Sequence, residues 1–270
     1  MPESDATSNQ FYRHSMQILE RAQVPFLLGG AYAFCVYTGI ARHTKDFDLF
    51  VRQEDFERTL AVLQKAGYRT EKTFPHWLGK AFDGGDSIDI IFRAGNGLCA
   101  VDDRWFERAR QAEVFGMTVQ LSAPEEIIWM KAYIMERERY DGADVAHLVW
   151  HCAAAMDWGH LLRIFGPDSR VLLSHLILFG FIYPTERDRI PKNILSGLLQ
   201  RLEHDEPANP VPRLCCGTLL SRTQFLPDLR NGNFRDARLE ARSQLTPAEI
   251  EAWTAAADPH LKPRAVSTQD

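Results

Sequence analysis

Between Asp46 and Leu49 the chain alternates acid, apolar, acid, apolar: Asp46, Phe47, Asp48, Leu49. Few short runs limit a fold more. On a strand, successive side chains point to opposite faces, so Asp46 and Asp48 share one face and Phe47 and Leu49 the other. One side must meet a core. The other must answer two carboxylates held side by side. Unpaired, they repel and raise one another's pKa. A divalent cation such as Mg²⁺ removes that penalty, because it takes carboxylate oxygens and keeps its other positions for water and phosphate. For an isolated acid pair, a solvated strand edge is the ordinary alternative.

Two further features bear on that choice. Phe26-Leu27-Leu28 reads as a short buried strand, Gly29-Gly30 as a turn, and Ala31 to Tyr37 as a helix that Gly39 closes. Two glycines between strand and helix let the backbone approach a phosphate, and the helix start offers free N–H groups at its positive end. Asp89 stands in the apolar, strand-like run Ser87-Ile88-Asp89-Ile90-Ile91-Phe92. If that strand lies beside the first, three carboxylates cluster. Three acids around two metals suit in-line phosphoryl or nucleotidyl transfer: one ion activates the attacking hydroxyl, the other steadies the leaving pyrophosphate. Asp89 would then serve the hydroxyl side. Its ordinary reading is a gatekeeper charge on an edge strand.

The remaining sequence places these segments in an α+β chain. A helix over 11–23 ends at Pro25, a helix over 53–66 ends at Gly67, and strands over 68–93 are broken by Pro75 and by Asp83-Gly84-Gly85. A short helix over 102–110 and a strand over Val114–Leu121 complete a mixed β-sheet flanked by helices. Ser122 then suits an N-cap, with Pro124, Glu125 and Glu126 in the first turn. From there to about 205 the pattern is mostly helical, and Pro247–Ala255 is a last short helix before a tail. The expected units are 11–122 for the α/β part, 123–240 for a mostly α-helical domain, and 241–270 for the C-terminal helix and tail.

The formal net charge of -5 does not point to a nucleic-acid coat or an anionic-membrane binder. The five cysteines, Cys35, Cys99, Cys152, Cys215 and Cys216, form no C-x-x-C pair and suit a reducing cytoplasm. The longest apolar run, Val171 to Tyr183, is too short to span a bilayer. His147 and His151 are four apart on one helix, but no third ligand stands with them at a zinc spacing.

The stretch Phe26-Leu27-Leu28-Gly29-Gly30-Ala31, followed by Arg42-His43-Thr44-Lys45-Asp46-Phe47-Asp48-Leu49, resembles the signature of the DNA-polymerase-β nucleotidyltransferase superfamily. Its Arg-x-Thr-x-Asp-x-Asp form is similar to bacterial stand-alone branches near the AbiEii/AbiGii-type proteins. The resemblance covers roughly residues 20–135. It implies the nucleotidyltransferase fold, a nucleoside triphosphate such as ATP as substrate, and Mg²⁺ or Mn²⁺ held by Asp46, Asp48 and Asp89. It implies nucleotide contacts from Gly29, Gly30, Arg42, Thr44 and Lys131, with Asp141 and Asp144 ordering the site. Many active members carry Gly-Ser at the turn, where this chain has Gly29-Gly30-Ala31, so one side-chain donor is missing.

Three functions follow as expectations. The first is Mg²⁺-dependent transfer of a nucleoside monophosphate to a hydroxyl or phosphate acceptor, on RNA such as tRNA, on a protein or on a small molecule. Its acceptor would sit between the two units, with Trp150, Trp158, Phe165, Phe179 and Tyr183 as a wall. The second is a catalytically silent nucleotide-binding or toxin–antitoxin-type module with an antitoxin-like partner. The third, a metal-dependent phosphohydrolase, fits poorly, because no His-Asp metal motif accompanies the acids. Cys215 to Phe225, with Ser221 and Arg222, looks motif-like and has no assigned role.

Overall fold

The computed structural model describes residues 6–41, 46–204 and 213–257. Arg42 and Thr44 lie outside the described residues, as does the expected tail from 258 onward.

Helix α1 (Ala6–Arg21) buries Phe11, Tyr12, Met16 and Leu19. The chain then forms β1 (Leu27–Leu28), helix α2 (Gly30–Thr38) and β2 (Asp46–Phe50). Gly39 ends α2 in the left-handed region at φ 72, its N–H bonded to the Cys35 carbonyl at 2.8 Å, a close that favours glycine. Helix α3 (Gln53–Lys65) leads to β3 (Arg69–Phe74), β4 (Leu78–Asp83) and β5 (Asp86–Ile91), three strands joined by hairpins.

The next segment differs from the sequence expectation. Helix α4 covers only Asp103–Glu107, and a hairpin of β6 (Arg110–Val114) and β7 (Met117–Leu121) follows. Phe115 and Gly116 both take positive φ, 52 and 69, as a two-residue hairpin turn of matching twist requires. The glycine inside the expected strand is therefore its turn.

These strands form one mixed seven-stranded sheet in the order β3-β4-β5-β2-β1-β7-β6. At the centre, β2 runs parallel to β5 and antiparallel to β1, while β1 runs parallel to β7. One sheet face carries Phe47, Leu49, Ile88 and Ile90, all fully buried beneath α1 and α3. Tyr12 of α1 stacks on Phe47 with ring centroids 4.4 Å apart.

The mostly helical part follows with α5 (Pro124–Ala132), α6 (Gly142–Cys152), α7 (Trp158–Phe165), α8 (Ser169–Ile182) and α9 (Lys192–His204). Ala123, rather than Ser122, is the N-cap of α5. Ser122 instead extends the β1–β7 ladder, its N–H donating to the Leu28 carbonyl at 3.0 Å. Among the described residues, Trp158–Ile182 is the one helical stretch long and apolar enough to cross a bilayer, with mean hydropathy 1.2. Gly166-Pro167 divides it, and Leu161, Phe165, Leu172, Leu176 and Phe179 are buried in the same core cluster as the sheet. Cys35, Cys99 and Cys152 are buried thiols, and no disulfide forms among the described residues.

The last part contains β8 (Leu214–Cys215), α10 (Leu226–Asn231), β9 (Arg235–Asp236) and α11 (Pro247–Ala255). Helix α11 has the bounds read from the sequence. Thr246 and Glu249 cap it reciprocally, and Pro247 sits in its first turn.

Candidate active site

The second sheet face begins with the acids. Asp46 and Asp48 of β2 point to it, and the parallel register sets Asp48 opposite Asp89 of β5, with Asp46 opposite Ser87. The pairing inferred from sequence is thus present as adjacent strands. Asp46 is exposed, while Asp48 and Asp89 are half-buried. Burial, then the charges of Asp89 and Asp46, push the Asp48 carboxyl up to about 7. Lys131 and Arg139 oppose that rise without cancelling it.

The glycine turn is shaped around Asp48. The Gly29 N–H donates to the Asp48 carbonyl at 2.9 Å, locking β1 to β2. Gly30 has φ +51, and a Cβ there would overlap the Asp48 carboxylate. A Cβ on Gly29 would overlap the Phe50 ring. Glycine at 30 therefore leaves room for the Asp48 carboxylate at the start of α2, and glycine at 29 leaves room for the Phe50 ring. Gly29, the N-cap residue, has no side chain with which to cap that start, and the positive end of α2 lies beside the Asp48 carboxylate.

A basic cluster stands across from the acids. Lys131, at the end of α5, lies 3.0 Å from Asp141 and 2.7 Å from Asp144. Arg139 donates to both Asp141 oxygens at 3.0 Å. Burial works against ionised Asp141, but Arg139 and Lys131 hold its carboxyl below the usual range. Asp141 and Asp144 thus steady Lys131, and Asp48 and Asp46 add to the field on Arg139. Arg137 instead turns outward to Glu138.

Sequence reasoning missed Lys80. On β4 it is the cross-strand partner of Asp89, and its Nζ lies 2.6 Å from Asp89 Oδ1. The signal was a lysine in the otherwise apolar start Leu78-Gly79-Lys80-Ala81, on the alternation that faces the acids. Burial raises the pKa of Asp89, and the bond from Lys80 limits the rise. Also missed was the network at the start of α5. Glu125 and Glu126 are each 1 % exposed, and Glu126 meets His160 at 2.6 Å. Burial pushes the Glu126 carboxyl up to about 7 and lowers His160, so burial opposes full charge on either partner.

Beyond the acids the same face becomes apolar. Phe50, Ile91 and Leu78 pack with Trp105, and Trp77 and Trp129 lie against them. The indole nitrogens of Trp77 and Trp129 are buried without a hydrogen-bond partner. The helical aromatics expected to form a wall are mainly core: Phe179 is fully buried, and Phe165 is buried against Tyr133. Trp150 and Tyr183 pack on each other, with ring centroids 4.8 Å apart.

The donors fit a hard divalent cation chemically. They are carboxylate oxygens on adjacent strands, and that of Asp48 is driven toward protonation by burial and then by its acidic neighbours. Among the described residues, however, no group of three His, Cys, Asp or Glu side chains converges on one ion position.

A mixed sheet that pairs an acidic strand face with a glycine-turn helix start is the nucleotidyltransferase fold. The chain belongs to a family described as uncharacterised nucleotidyltransferase, whose model matches residues 17–166. Among solved structures, it is similar to the antibiotic-resistance factor ANT(2'')-Ia, at 17% identity over 64% of this chain and 96% of that one, TM-score 0.44. It is also similar to the lincosamide antibiotic adenylyltransferase LnuA, at 16% identity over 54% and 98%, TM-score 0.39. JHP933 from Helicobacter pylori matches at 16% identity over 75% and 96%, TM-score 0.36. No curated protein matches the sequence.

Proposed function

We propose that the protein transfers a nucleoside monophosphate from a nucleoside triphosphate, with Mg²⁺, to a hydroxyl or phosphate acceptor on RNA, protein or a small molecule. The observation that carries this reading is the register of Asp48 against Asp89, beside Asp46 and the Gly29-Gly30 turn. Asp46 and Asp48, with Asp89, would hold the ion. Once bound, Mg²⁺ offsets the repulsion among the acids and polarises phosphate oxygens. The α2 start and Lys131 would take the phosphates. The acceptor oxygen attacks the α-phosphorus, the bond to the β-phosphate bridging oxygen breaks, and pyrophosphate leaves. Asp89, with its raised pKa, suits the acceptor's proton. The run from Lys131 to Asp144 supports kinship with the AbiEii/AbiGii-type branch as part of the same proposal.

The test offers labelled nucleoside triphosphates and Mg²⁺ with total RNA, protein and small hydroxyl compounds. Label transfer is expected, and Asp48→Asn should reduce it about a hundredfold or more. Equal labelling by the variant would reject the assignment.

One observation favours a silent nucleotide-binding module: Lys80 already engages Asp89. On that reading, calorimetry shows Mg²⁺-dependent nucleotide binding, with no product after hours of incubation.

A further inference from the structure

Lys80 is placed where a metal ligand set would be completed. Its ammonium is 2.6 Å from Asp89 Oδ1, and the two side chains are 23% and 13% exposed. They are direct cross-strand partners in the antiparallel β4–β5 ladder, so the strands themselves hold the contact. Asp48 sits on the other side of Asp89, in register on β2. A lysine ammonium and a divalent ion both seek carboxylate oxygen, the ion at about 2.0–2.1 Å for Mg²⁺. They cannot take the same lone pairs of one carboxylate. With Asp89 drawn to Lys80, the three acids do not converge on one ion position among the described residues.

We propose that Lys80 is a tethered cation that holds Asp89 in the metal-free site, and that a divalent ion using Asp89 as ligand must displace it. The inference rests on the reading of Asp46, Asp48 and Asp89 as metal ligands. Loading is then ordered. An ion enters first at Asp46 and Asp48, ahead of the Asp89 carboxylate that Lys80 engages. The Asp89 position fills only when other ligands, such as the phosphates of a nucleotide, add to the gain. Lys80 is a positioning residue here. It keeps a buried carboxylate neutralised between turnovers and limits uptake of metal without nucleotide.

The contrasting account makes Lys80 a structural counter-ion alone. Removing it would then lower stability and leave metal uptake unchanged. The two accounts separate in a titration of the full-length protein with Mn²⁺, followed by the paramagnetic resonance of free Mn²⁺ without nucleotide. The wild type is expected to bind about one ion. Lys80→Met and Lys80→Gln are expected to bind about two, the added site gaining about tenfold or more in affinity from the lost positive charge. Lys80→Arg should restore exclusion, and Asp89→Asn in the Lys80→Met background should abolish the added site. Melting of Lys80→Met should rise steeply with Mn²⁺, which also reports on its folding.

Unchanged stoichiometry and affinity in both neutral variants would overturn the proposal, as would an added site that survives Asp89→Asn. Absence of Mn²⁺ binding in every form would overturn it together with the metal ligands of the proposed function. An Asp89-dependent added site in a protein that transfers no nucleotide would support the Lys80 role and reject the transferase reading.

Discussion

Asp48 is where charge, burial and backbone meet. Its carboxyl is pushed up to about 7 by burial and by Asp89 and Asp46, against an ordinary value of about 4 in the unfolded chain. Between these values the folded protein binds a proton that the unfolded chain has lost. The Asp48 contribution to stability without divalent ions is therefore full below about pH 4 and is lost as pH rises toward 7. Thermal melts across this range should show the decline, and Asp48→Asn should flatten it. Added Mg²⁺ should offset the loss at pH 7 and above. An equal slope in the variant would exclude Asp48 as its source. Glu126 has a similar raised value, so the comparison with Asp48→Asn is what isolates the site. Gly30→Ala joins an unfavourable φ to an overlap with the Asp48 carboxylate. It should cost about 2 kcal/mol or more in denaturant unfolding. Asp46 and Asp48 were legible because alternation on a strand fixes a shared face. Lys80 and the burial of Glu126 were not, because their partners, Asp89 and His160, come from other elements.

Among the elements, the turn from Met135 to Tyr140 leans on a distant part of the chain. It is a two-residue bridge between Met135 and Tyr140, and it carries Arg139 toward the acids. The segment without an assigned role in the sequence braces it. Ser221 Oγ donates to Glu136 at 2.7 Å, and Arg222 Nε donates to Glu136 at 2.7 Å. The Met135 N–H meets the Leu220 carbonyl at 3.1 Å. Although burial opposes it, these donors hold the Glu136 carboxyl below its usual range. Arg222→Ala should weaken nucleotide binding by about tenfold, chiefly in KM, since the brace orders the turn that carries Arg139 toward Asp48 and Asp46 without itself touching those acids. Hydrogen exchange at 135–140 should rise with it. Unchanged exchange would show that the turn stands without the brace. Periodicity and turn residues located α2, α3 and α11 well, whereas α1 starts at Ala6, ahead of the expected 11, and the strand expected over 114–121 contains the β6–β7 turn at Phe115-Gly116. Contacts such as Glu136 to Arg222 span 86 residues and leave no local pattern.

Across the whole molecule, the chain returns on itself. Arg238 is fully buried, bonded to Asp236 through Nε and a terminal nitrogen, and reaches Thr254 of α11 at 3.2 Å. Ser243 donates to the Asn96 carbonyl, and Asn96 in turn donates to the Leu219 carbonyl at 2.8 Å. Asp236→Ala would strand a buried guanidinium and should cost about 3 kcal/mol or more in equilibrium unfolding. A smaller loss would show that water reaches Arg238 in the variant. The α+β class, the order of the strands' chemistry and the helical second part were readable from periodicity and turn residues. The return of the C-terminal segment to the loop at 94–98 was not, because it depends on single polar contacts between distant positions. Synthesis adds a direction to that return. Residues 220–224, which brace the turn beside the acids, leave the ribosome well after Asp46, Asp48, Asp89 and Lys131. A nascent chain can therefore fold its sheet and expose its carboxylates before Arg139 is fixed, so the turn beside the acids is braced only after residues 220–224 have emerged.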